Sequence, residues 1–251
     1  MKVGVIGCGY VGLTTGVCLA ELGHTVVCVD NDEEKIKKLL SGKLPIFEPN
    51  LDKLIKKNKK RIKFSIDIKD AVVGNEVIFI CVGTPSNPDG SPDLSYVENV
   101  AREIAKYLDS YKVVVEKSTV PVETAEWVKK TIERYKKNNV GFDVVSNPEF
   151  LREGSAVKDF LYPDRIVIGV ESEKAKKIML KLYQKIKSPK IIVDTKSAEL
   201  IKHASNSFLA TKISFINAVA NICELSGADV EKVALGMGLD KRIGKDFLKA
   251  G

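Results

Sequence analysis

The chain has 251 residues, a length that suits one large domain with an extension or two smaller domains. With 44% hydrophobic and 29% charged residues it has the composition of a globular protein that buries a core. No run approaches the roughly 18 consecutive apolar residues that indicate a membrane span. Most of the net charge of +7 comes from residues 51–69, which carry eight basic and two acidic side chains. Because a charge run is usually a solvated surface, we interpret this stretch as an exposed helix face rather than a nucleic-acid site.

The five cysteines lie singly in apolar runs and form no CxxC pair. An odd number without paired spacing predicts free thiols that behave as small hydrophobes, as in a reducing cytoplasm. Only two histidines exist, His24 and His203, so a histidine-rich metal site is excluded and no metal is expected.

The first elements in chain order are typical of a βαβ unit. A strand is predicted at Lys2–Ile6, a tight turn at Gly7–Gly12, a helix to about Leu22 and a second strand at Thr25–Asp30. A further helix is expected to begin near Asp32.

Apolar runs without alternation follow, with amphipathic stretches between them. The runs cover 76–82, 112–116, 142–145, 165–169 and 190–193, and the main amphipathic stretches cover 94–108 and 122–135. Such runs suit strands that are buried on both faces, as in a parallel sheet covered by helices. We therefore predict a doubly wound, Rossmann-like α/β domain over residues 1–195.

From Lys196 onwards the sequence favours helix throughout. Residues 197–226 contain neither glycine nor proline and keep a helical apolar spacing, which predicts one helix of about 30 residues. Gly227 is a suitable stop, and a second helix is expected to start near Asp229. Residues 196–251 are assigned to a long connecting helix and the start of a helical region.

The turn Gly7–Gly12 has the pattern G-x-G-x-x-G between a strand and a helix. Its glycines permit a tight turn, a close backbone approach to a pyrophosphate and close helix–strand packing, while the helix amino terminus attracts phosphate. Asp30 ends the next strand about 20 residues later, where a carboxylate accepts the ribose hydroxyls of an adenosine. Residues 31–34 offer no arginine for a 2′-phosphate, so NAD is favoured over NADP. A purely structural glycine turn is the alternative.

Two further segments follow buried strands, the edge at which open α/β sheets bind ligands. Residues 82–85 contain Thr84, and residues 116–121 contain Thr119. Their hydroxyls could hold a water or a nicotinamide group, but Gly, Pro, Ser and Thr also dominate ordinary turns. The sequence leaves both interpretations open.

Two pairs of polar residues at a spacing of four point to chemistry. If their segment is helical, Glu149 and Glu153 face one side and could be tuned for proton transfer; a surface or capping pair is the alternative. Lys202 and Asn206 share one face of the long helix and could stabilise an oxyanion. The alternative there is a snorkelling lysine and an asparagine at a helix–helix contact.

Ordered segments along the whole chain resemble the UDP-glucose/GDP-mannose dehydrogenase family. They are VGVIGCGYVGL, VGTPSNPDGSPDLSYV, EKSTVPVETA, NPEFLREGSAVKDFLYPDRIVIG, AELIKHASNSFLATKISFINAVANICELSGADV and DKRIGKDFLKAG. The resemblance implies oxidation of the C6 alcohol of a nucleotide sugar to a carboxylate, with two NAD consumed per turnover.

The resemblance also implies residue roles. On the cofactor side it implies Gly7, Gly9, Tyr10, Val11, Gly12, Asp30 and Lys35 at the adenosine and pyrophosphate end, and Thr84, Thr119 and Glu153 nearer the reactive end.

On the catalytic side the resemblance implies Glu149 as acid/base, Glu153 beside cofactor and water, and Thr119 as a residue that positions the water. Lys202 and Asn206 would stabilise negative charge at C6, with Lys202 also a candidate for proton transfer. The substrate-binding residues implied are Glu149, Phe150, Leu151, Lys202, Asn206 and Arg242, the last reaching the sugar nucleotide across a subunit interface.

In the family, FLKAG is followed at once by a glycine-rich segment with the nucleophilic cysteine, and then by a nucleotide-sugar domain. This sequence stops at Gly251, and its five cysteines lie in the phosphate turn, on predicted strands or on predicted helices. We therefore expect an amino-terminal portion that binds NAD but lacks the nucleophile for the complete oxidation.

Within the family, UDP-glucose is favoured as the substrate by the residues near Phe150 and by the stretch 162–165, with GDP-mannose or an N-acetylated UDP sugar as alternatives. A natural non-catalytic NAD-binding or dimerisation module is a third interpretation. The resemblance further implies a homodimer formed through the long helix, with no nucleic-acid or membrane partner.

Overall fold

A computed structural model describes residues 1–251 and divides them into two units, Met1–Leu200 and Ile201–Gly251. The strands are β1 Lys2–Ile6, β2 Thr25–Val29, β3 Ile62–Ser65, β4 Val77–Ile80, β5 Lys112–Glu116, β6 Phe142–Ser146, β7 Ile166–Gly169 and β8 Lys190–Val193. The helices are α1 Tyr10–Glu21, α2 Glu33–Leu40, α3 Leu51–Lys57, α4 Ile68–Val72, α5 Ser95–Tyr107, α6 Thr124–Tyr135, α7 Ala156–Leu161, α8 Glu173–Leu182, α9 Thr195–Ser226 and α10 Val230–Gly238.

The strands form one sheet in the order β3-β2-β1-β4-β5-β6-β7-β8. The first six strands run parallel in the order 3-2-1-4-5-6, which is the order of a Rossmann fold. The chain reverses its direction of travel across the sheet between β1 and β4, and this switch point is where such sheets bind ligands. The predicted doubly wound α/β fold is confirmed.

Side chains alternate across the sheet and build a core on each face. On one face Val5, Phe79 and Val115 are buried in a cluster that includes residues of α1 and α8. On the other face Ile78 and Val114 are buried in a cluster that includes residues of α5 and α6. This burial on both sides explains why the strands carry continuous apolar runs.

Polar side chains cap the starts of three helices, two of which, near Asp32 and Asp229, were predicted from the sequence. Asp32 accepts the Lys35 amide before α2, Ser172 accepts the Ala175 amide before α8, and Asp229 accepts two amides before α10. Gly227 has a positive φ of 75°, which ends α9 as predicted.

The lysine-rich stretch 51–69 was only partly predicted correctly. Residues 51–57 form α3, but Ile62–Ser65 is the edge strand β3, which the helical interpretation missed. Ile62 and Phe64 are partly buried against the core, whereas Lys63 faces solvent. A short strand with an exposed lysine is a common form of sheet edge.

The sheet is not parallel throughout, because β7 meets β6 at a single antiparallel pair, Ser146 with Gly169, and then pairs in parallel with β8. Pairing stops there since the chain leaves β6 at Asn147, whose side-chain amide donates to Val167 O at 2.7 Å. The 147–155 segment that follows belongs to the candidate site.

The second unit holds most of α9, followed by α10. The helix predicted at 197–226 begins two residues earlier, at Thr195. By length and composition alone α9 could cross a membrane, and only 11% of its most apolar window is buried within the chain. Both helices carry large apolar side chains that are exposed. On α9 and α10 these are Leu200, Phe208, Ile213, Phe215, Ile222, Leu225 and Leu235.

Candidate cofactor and acid/base site

The turn after β1 requires glycine at two positions for different reasons. Gly7 has a φ of +97°, and a Cβ there would lie 2.4 Å from Cys81 O. A Cβ on Gly12 would lie 1.8 Å from Gly7 O. At Gly9, by contrast, the φ is negative and a Cβ would have no protein atom within 4 Å. The space beside Gly9 is therefore open to a ligand rather than filled by the protein.

The amino terminus of α1 fits an anion. Its N-cap Gly9 supplies no side-chain hydrogen bond, and its first turn contains no acidic residue. The first amides of a helix have no partner within the helix, so those of Tyr10 and Val11 are available to an external acceptor. A pyrophosphate satisfies such amides and interacts favourably with the helix dipole.

Asp30 directly follows β2 beside this turn and is 7% exposed. Its Oδ2 accepts the Cys8 amide at 2.7 Å and Lys35 Nζ at 2.9 Å, and its Oδ1 accepts the Asp32 amide at 3.0 Å. The carboxylate thus holds the glycine turn in place and keeps acceptor capacity for ribose hydroxyls.

Asp30 also borders a cleft of about 720 Å³ at the switch point. Gly7, Gly9 and Lys35 line one part of the cleft, and Gly83 and Tyr96 line another. This volume lies within the range of about 300–1,000 Å³ that is usual for small-molecule sites, and the glycine turn and Asp30 in its wall suit a dinucleotide. The residues present fit the adenosine and pyrophosphate end of NAD.

The two loops predicted at neighbouring strand ends do meet. Thr84 Oγ1, after β4, donates to Thr119 O, after β5, at 2.9 Å. Thr119 is exposed, whereas Ser118 before it is buried, with its amide donating to Glu116 Oε1 at 2.7 Å. The contact places both threonines at the carboxyl edge of the sheet next to the cleft, where Gly83 is already part of its wall.

The segment 147–153 is not helical, so the condition under which Glu149 and Glu153 would share a helix face is not met. Glu149 Oε2 accepts the Leu151 amide at 2.6 Å, a local turn that replaces helical hydrogen bonds. Glu149 is half-buried, and Glu153 is exposed. The two carboxylates are carried by one irregular loop at the carboxyl edge of the sheet.

A much smaller cavity of about 40 Å³ lies along this loop. Glu149, Phe150 and Leu151, all predicted to bind substrate, contribute to its wall together with Lys117 and Arg165. The Arg165 guanidinium lies over the Phe150 ring at 4.0 Å from its centroid, a cation–π contact that orients the ring. The three predicted residues are thus brought together around one cavity.

Two residues near the site were not predicted. Lys117 is 5% exposed, with its ammonium 3.2 Å from both the backbone and side-chain oxygens of Asn147, and it supports the start of the Glu149 loop. The sequence feature that could have identified Lys117 is its position directly after the apolar strand β5. Glu48 is 3% exposed and contacts Tyr10 and Gly154, but it lies in the irregular stretch 41–50, where no sequence pattern marked it.

The remaining predicted residues lie in the second unit. Lys202 is buried and Asn206 is exposed one turn further along α9, so they share a helix face as the spacing predicted. Arg242 is exposed, and its guanidinium binds Asp240 Oδ2 at 2.6 Å. Arg242 is therefore held by a local ion pair.

The fold and the cleft define a dinucleotide-binding protein of the Rossmann type. The sequence profile of the UDP-glucose/GDP-mannose dehydrogenase family, NAD binding domain, matches residues 1–187, and that of the family's central domain matches residues 196–251. The chain belongs to the UDP-glucose/GDP-mannose dehydrogenase family, and its first unit is an NAD-binding domain of that family.

Individual relatives agree with this assignment. The chain is 53% identical over its whole length to the UDP-glucose 6-dehydrogenase TuaD of Bacillus subtilis and 52% identical to the UDP-glucose 6-dehydrogenase of Rhizobium meliloti. It covers 55% and 59% of those proteins, so it spans a little over half the length of the curated relatives it matches.

Solved structures show the same likeness. A UDP-glucose dehydrogenase from Pyrobaculum islandicum superposes with a TM-score of 0.97 at 42% identity, over all of this chain and 59% of that one. A GDP-mannose dehydrogenase from Pseudomonas aeruginosa, solved as a ternary complex, gives 0.92 at 36% identity, over 96% and 57% of the two chains.

We expect Asp30→Asn to weaken NAD binding by about 10- to 100-fold, because hydrogen bonds to a charged acceptor contribute about 1.5–3 kcal/mol. Isothermal titration of the purified variant with NAD measures this. Asp32→Asn is the matched control, since Asp32 is exposed and caps α2, and it should change the affinity only a few-fold. Equal affinities for wild type and Asp30→Asn would contradict the assignment of Asp30.

Proposed function

We propose that the protein to which these residues belong oxidises the C6 alcohol of UDP-glucose to the carboxylate, with NAD as oxidant. The observation that carries this proposal is the hydrogen bond from the Gly154 amide to Tyr10 Oη, at 2.7 Å. It ties the loop bearing Glu149 and Glu153 to the first residue of α1, in the dinucleotide turn. A cofactor cleft and an acid/base segment therefore share one edge of the sheet, as an oxidation by hydride transfer requires.

Each candidate residue has a chemical task in this scheme. Bound NAD supplies the hydride acceptor. Glu149, half-buried in the cavity wall, is the acid/base group, and Thr119 holds a water at the strand edge. Lys202 and Asn206 provide a positive charge and an amide donor for an oxyanion at C6. Glu153 contributes a second carboxylate beside the cofactor turn.

A second hydride can leave only from a tetrahedral adduct of the aldehyde, and in the proposed reaction a thiolate forms that adduct, so that hydride loss to a second NAD gives a thioester that water hydrolyses to the carboxylate and the free thiol. All five cysteines of this chain are buried. Burial raises the pKa of the Cys18 and Cys81 thiols well above the usual range, which suppresses their thiolate forms. None of the five suits the nucleophile, so we propose that the thiol is supplied from outside residues 1–251.

UDP-glucose is the proposed sugar nucleotide, because relatives of about 50% identity over the whole chain carry the name UDP-glucose 6-dehydrogenase. GDP-mannose and N-acetylated UDP sugars remain the alternatives, since solved structures of dehydrogenases named for those sugars share the fold. Substrate profiling of the complete enzyme separates the three, with UDP-glucose expected to give the highest kcat/KM.

We further propose a cytoplasmic homodimer. Phe208 is 65% exposed and Leu225 is 91% exposed, and apolar surface of this kind marks an interaction face. The same stretch of α9 contains Asn206, Lys212 and Asn217, which suit a protein interface better than a lipid one. The five buried free thiols suit a reducing compartment.

The decisive experiment compares the 251-residue chain with the complete enzyme. The chain is expected to bind NAD by isothermal titration and to form no UDP-glucuronate from UDP-glucose. The complete enzyme is expected to release two NADH for each UDP-glucuronate. Sustained UDP-glucuronate formation by the 251 residues alone would overturn the proposed division of labour. Failure of the complete enzyme to oxidise UDP-glucose would overturn the proposed substrate.

A further inference from the structure

Glu48 is an unusual residue for its position. It lies in the irregular connection 41–50 between α2 and α3, next to Phe47, which is 88% exposed, yet Glu48 is only 3% exposed. Burial of a carboxylate is costly unless its oxygens are hydrogen-bonded. A buried acid in an otherwise exposed loop therefore indicates that specific donors hold it there.

The donors come from two segments that the proposed function uses. Tyr10 Oη donates to Glu48 Oε2, and the Gly154 amide donates to the same oxygen at 3.0 Å. The Val157 amide, in the first turn of α7, lies 3.3 Å from Glu48 Oε1. All three donors are uncharged, so the carboxylate acts as the acceptor that joins α1, the 41–50 connection and the start of α7.

The hydrogen-bond directions in this cluster are fixed. Burial and then the hydrogen bond to Glu48 raise the pKa of Tyr10 to about 12, so the phenol stays protonated at neutral pH. The Tyr10 hydroxyl consequently donates to Glu48 and accepts the Gly154 amide at 2.7 Å. Phenylalanine at position 10 removes both contacts without changing the ring.

We infer that Tyr10 and Glu48 are positioning residues that couple the dinucleotide turn to the carboxylate loop, so that NAD binding at α1 orders residues 147–157. Tyr10 supplies one of the α1 amides that would hold the pyrophosphate, while its hydroxyl accepts the Gly154 amide next to Glu153. A ligand that fixes the amino terminus of α1 therefore fixes the loop through this bridge. The inference rests on the proposed roles of Glu149 and Glu153 for its functional meaning.

Hydrogen exchange with and without saturating NAD tests the coupling in the 251-residue chain. In wild type, NAD is expected to slow exchange of the peptide spanning 147–160 by about 10-fold, within the usual range of coupling between sites. Tyr10→Phe keeps the backbone amide at the start of α1 and should lose this protection when NAD is raised to a concentration that saturates the variant. Tyr135→Phe removes an exposed hydroxyl at the end of α6, outside the cleft, and is the matched control, with protection expected to persist.

Glu48→Gln keeps the size of the side chain and removes its charge, and it should also abolish the NAD-dependent protection. Tyrosinate absorbance gives a spectroscopic readout for the same variant. In a pH titration, one tyrosine of Glu48→Gln should ionise at a lower pH than in wild type. When Tyr10→Phe is added to both proteins, the two titration curves should become the same. A purely structural role for Glu48 would lower thermal stability without making the loop insensitive to NAD.

The outcomes separate the coupling from the proposed function. Wild type that binds NAD without protecting 147–160, or Tyr10→Phe that keeps full protection, would overturn the coupling. Wild type that fails to bind NAD would instead contradict the cofactor assignment. If the complete enzyme shows the coupling but cannot oxidise a sugar nucleotide, the coupling stands and the proposed reaction is overturned.

Discussion

Alanine at Gly9 is expected to weaken NAD binding by about 100-fold or more, equivalent to about 2.8 kcal/mol, with little loss of stability. Nothing in the protein lies within 4 Å of a Cβ at this position, and the backbone φ of −72° is open to any residue. The added methyl therefore meets no protein atom. It occupies the space that a pyrophosphate needs beside the α1 amides.

Alanine at Gly12 is expected to have the opposite profile, because its Cβ would lie 1.8 Å from Gly7 O and 2.9 Å from Cys81 Cβ. Backbone cannot yield as a flexible side chain does, so α1 must shift away from the turn. Overpacking of this kind typically costs about 1–3 kcal/mol and occasionally more. We expect Gly12→Ala to lower the free energy of unfolding by at least that amount and to lose NAD binding as a consequence.

Urea denaturation and isothermal titration on the same two variants separate these effects. Gly236→Ala is the control for an added methyl, since this α10 glycine also has open space around it and lies outside the cleft. It should be neutral or slightly stabilising in the helix. A Gly9→Ala variant that binds NAD like wild type would show that the open space is not the phosphate site.

Local sequence patterns were enough to predict the elements that form the proposed cofactor site. The unit β1–α1–β2 was predicted almost to the residue, because its strands are continuous apolar runs and its turn is marked by glycines. Asp30 followed from its distance from that turn. Each of these features depends on neighbours in the sequence or on a fixed spacing, and so it can be recognised without the fold.

Three features were not predicted from the sequence, each for a different physical reason. Glu48 is buried by partners 38 and 106 residues away, so no local pattern marks it. The helical spacing of Glu149 and Glu153 was misleading because the Glu149 carboxylate binds the Leu151 amide in a local turn. The strand β3 was hidden in a lysine run, since an edge strand needs only partial burial.

The charge state of Glu116 is another consequence of the tertiary fold. This residue ends β5 and is 1% exposed; Oε1 accepts the Ser118 amide, while Oε2 has no hydrogen-bond partner. Burial raises the pKa of Glu116 to about 8, and the nearby Glu199 carboxylate adds to the effect. Glu199 is itself buried and accepts the Glu123 and Ala125 amides at the start of α6, so it cannot move away freely.

The sign of the effect on stability follows from proton binding. Between the ordinary glutamate pKa of 4.5 and the folded-state pKa of about 8, the folded state holds a proton on Glu116 that the unfolded state releases. Stability therefore falls as the pH rises through this window, by about 1.4 kcal/mol for each pH unit from this group alone. Above about pH 8 both states are ionised, and the loss is complete.

Glu116→Gln mimics the protonated form and should remove this pH dependence. We expect the free energies of unfolding of variant and wild type to be closest near pH 5. As the pH approaches 8, the free energy of unfolding of the variant should increase relative to that of wild type. Urea denaturation in steps of one pH unit measures the difference, in which the titrating groups that do not interact with Glu116 cancel. Glu224→Gln, at an exposed glutamate of α9, is the matched control and should run parallel to wild type. If the free energies of unfolding of Glu116→Gln and wild type also change in parallel with pH, Glu116 is ionised in the folded protein. A compensating interaction would then stabilise its charge at the end of β5.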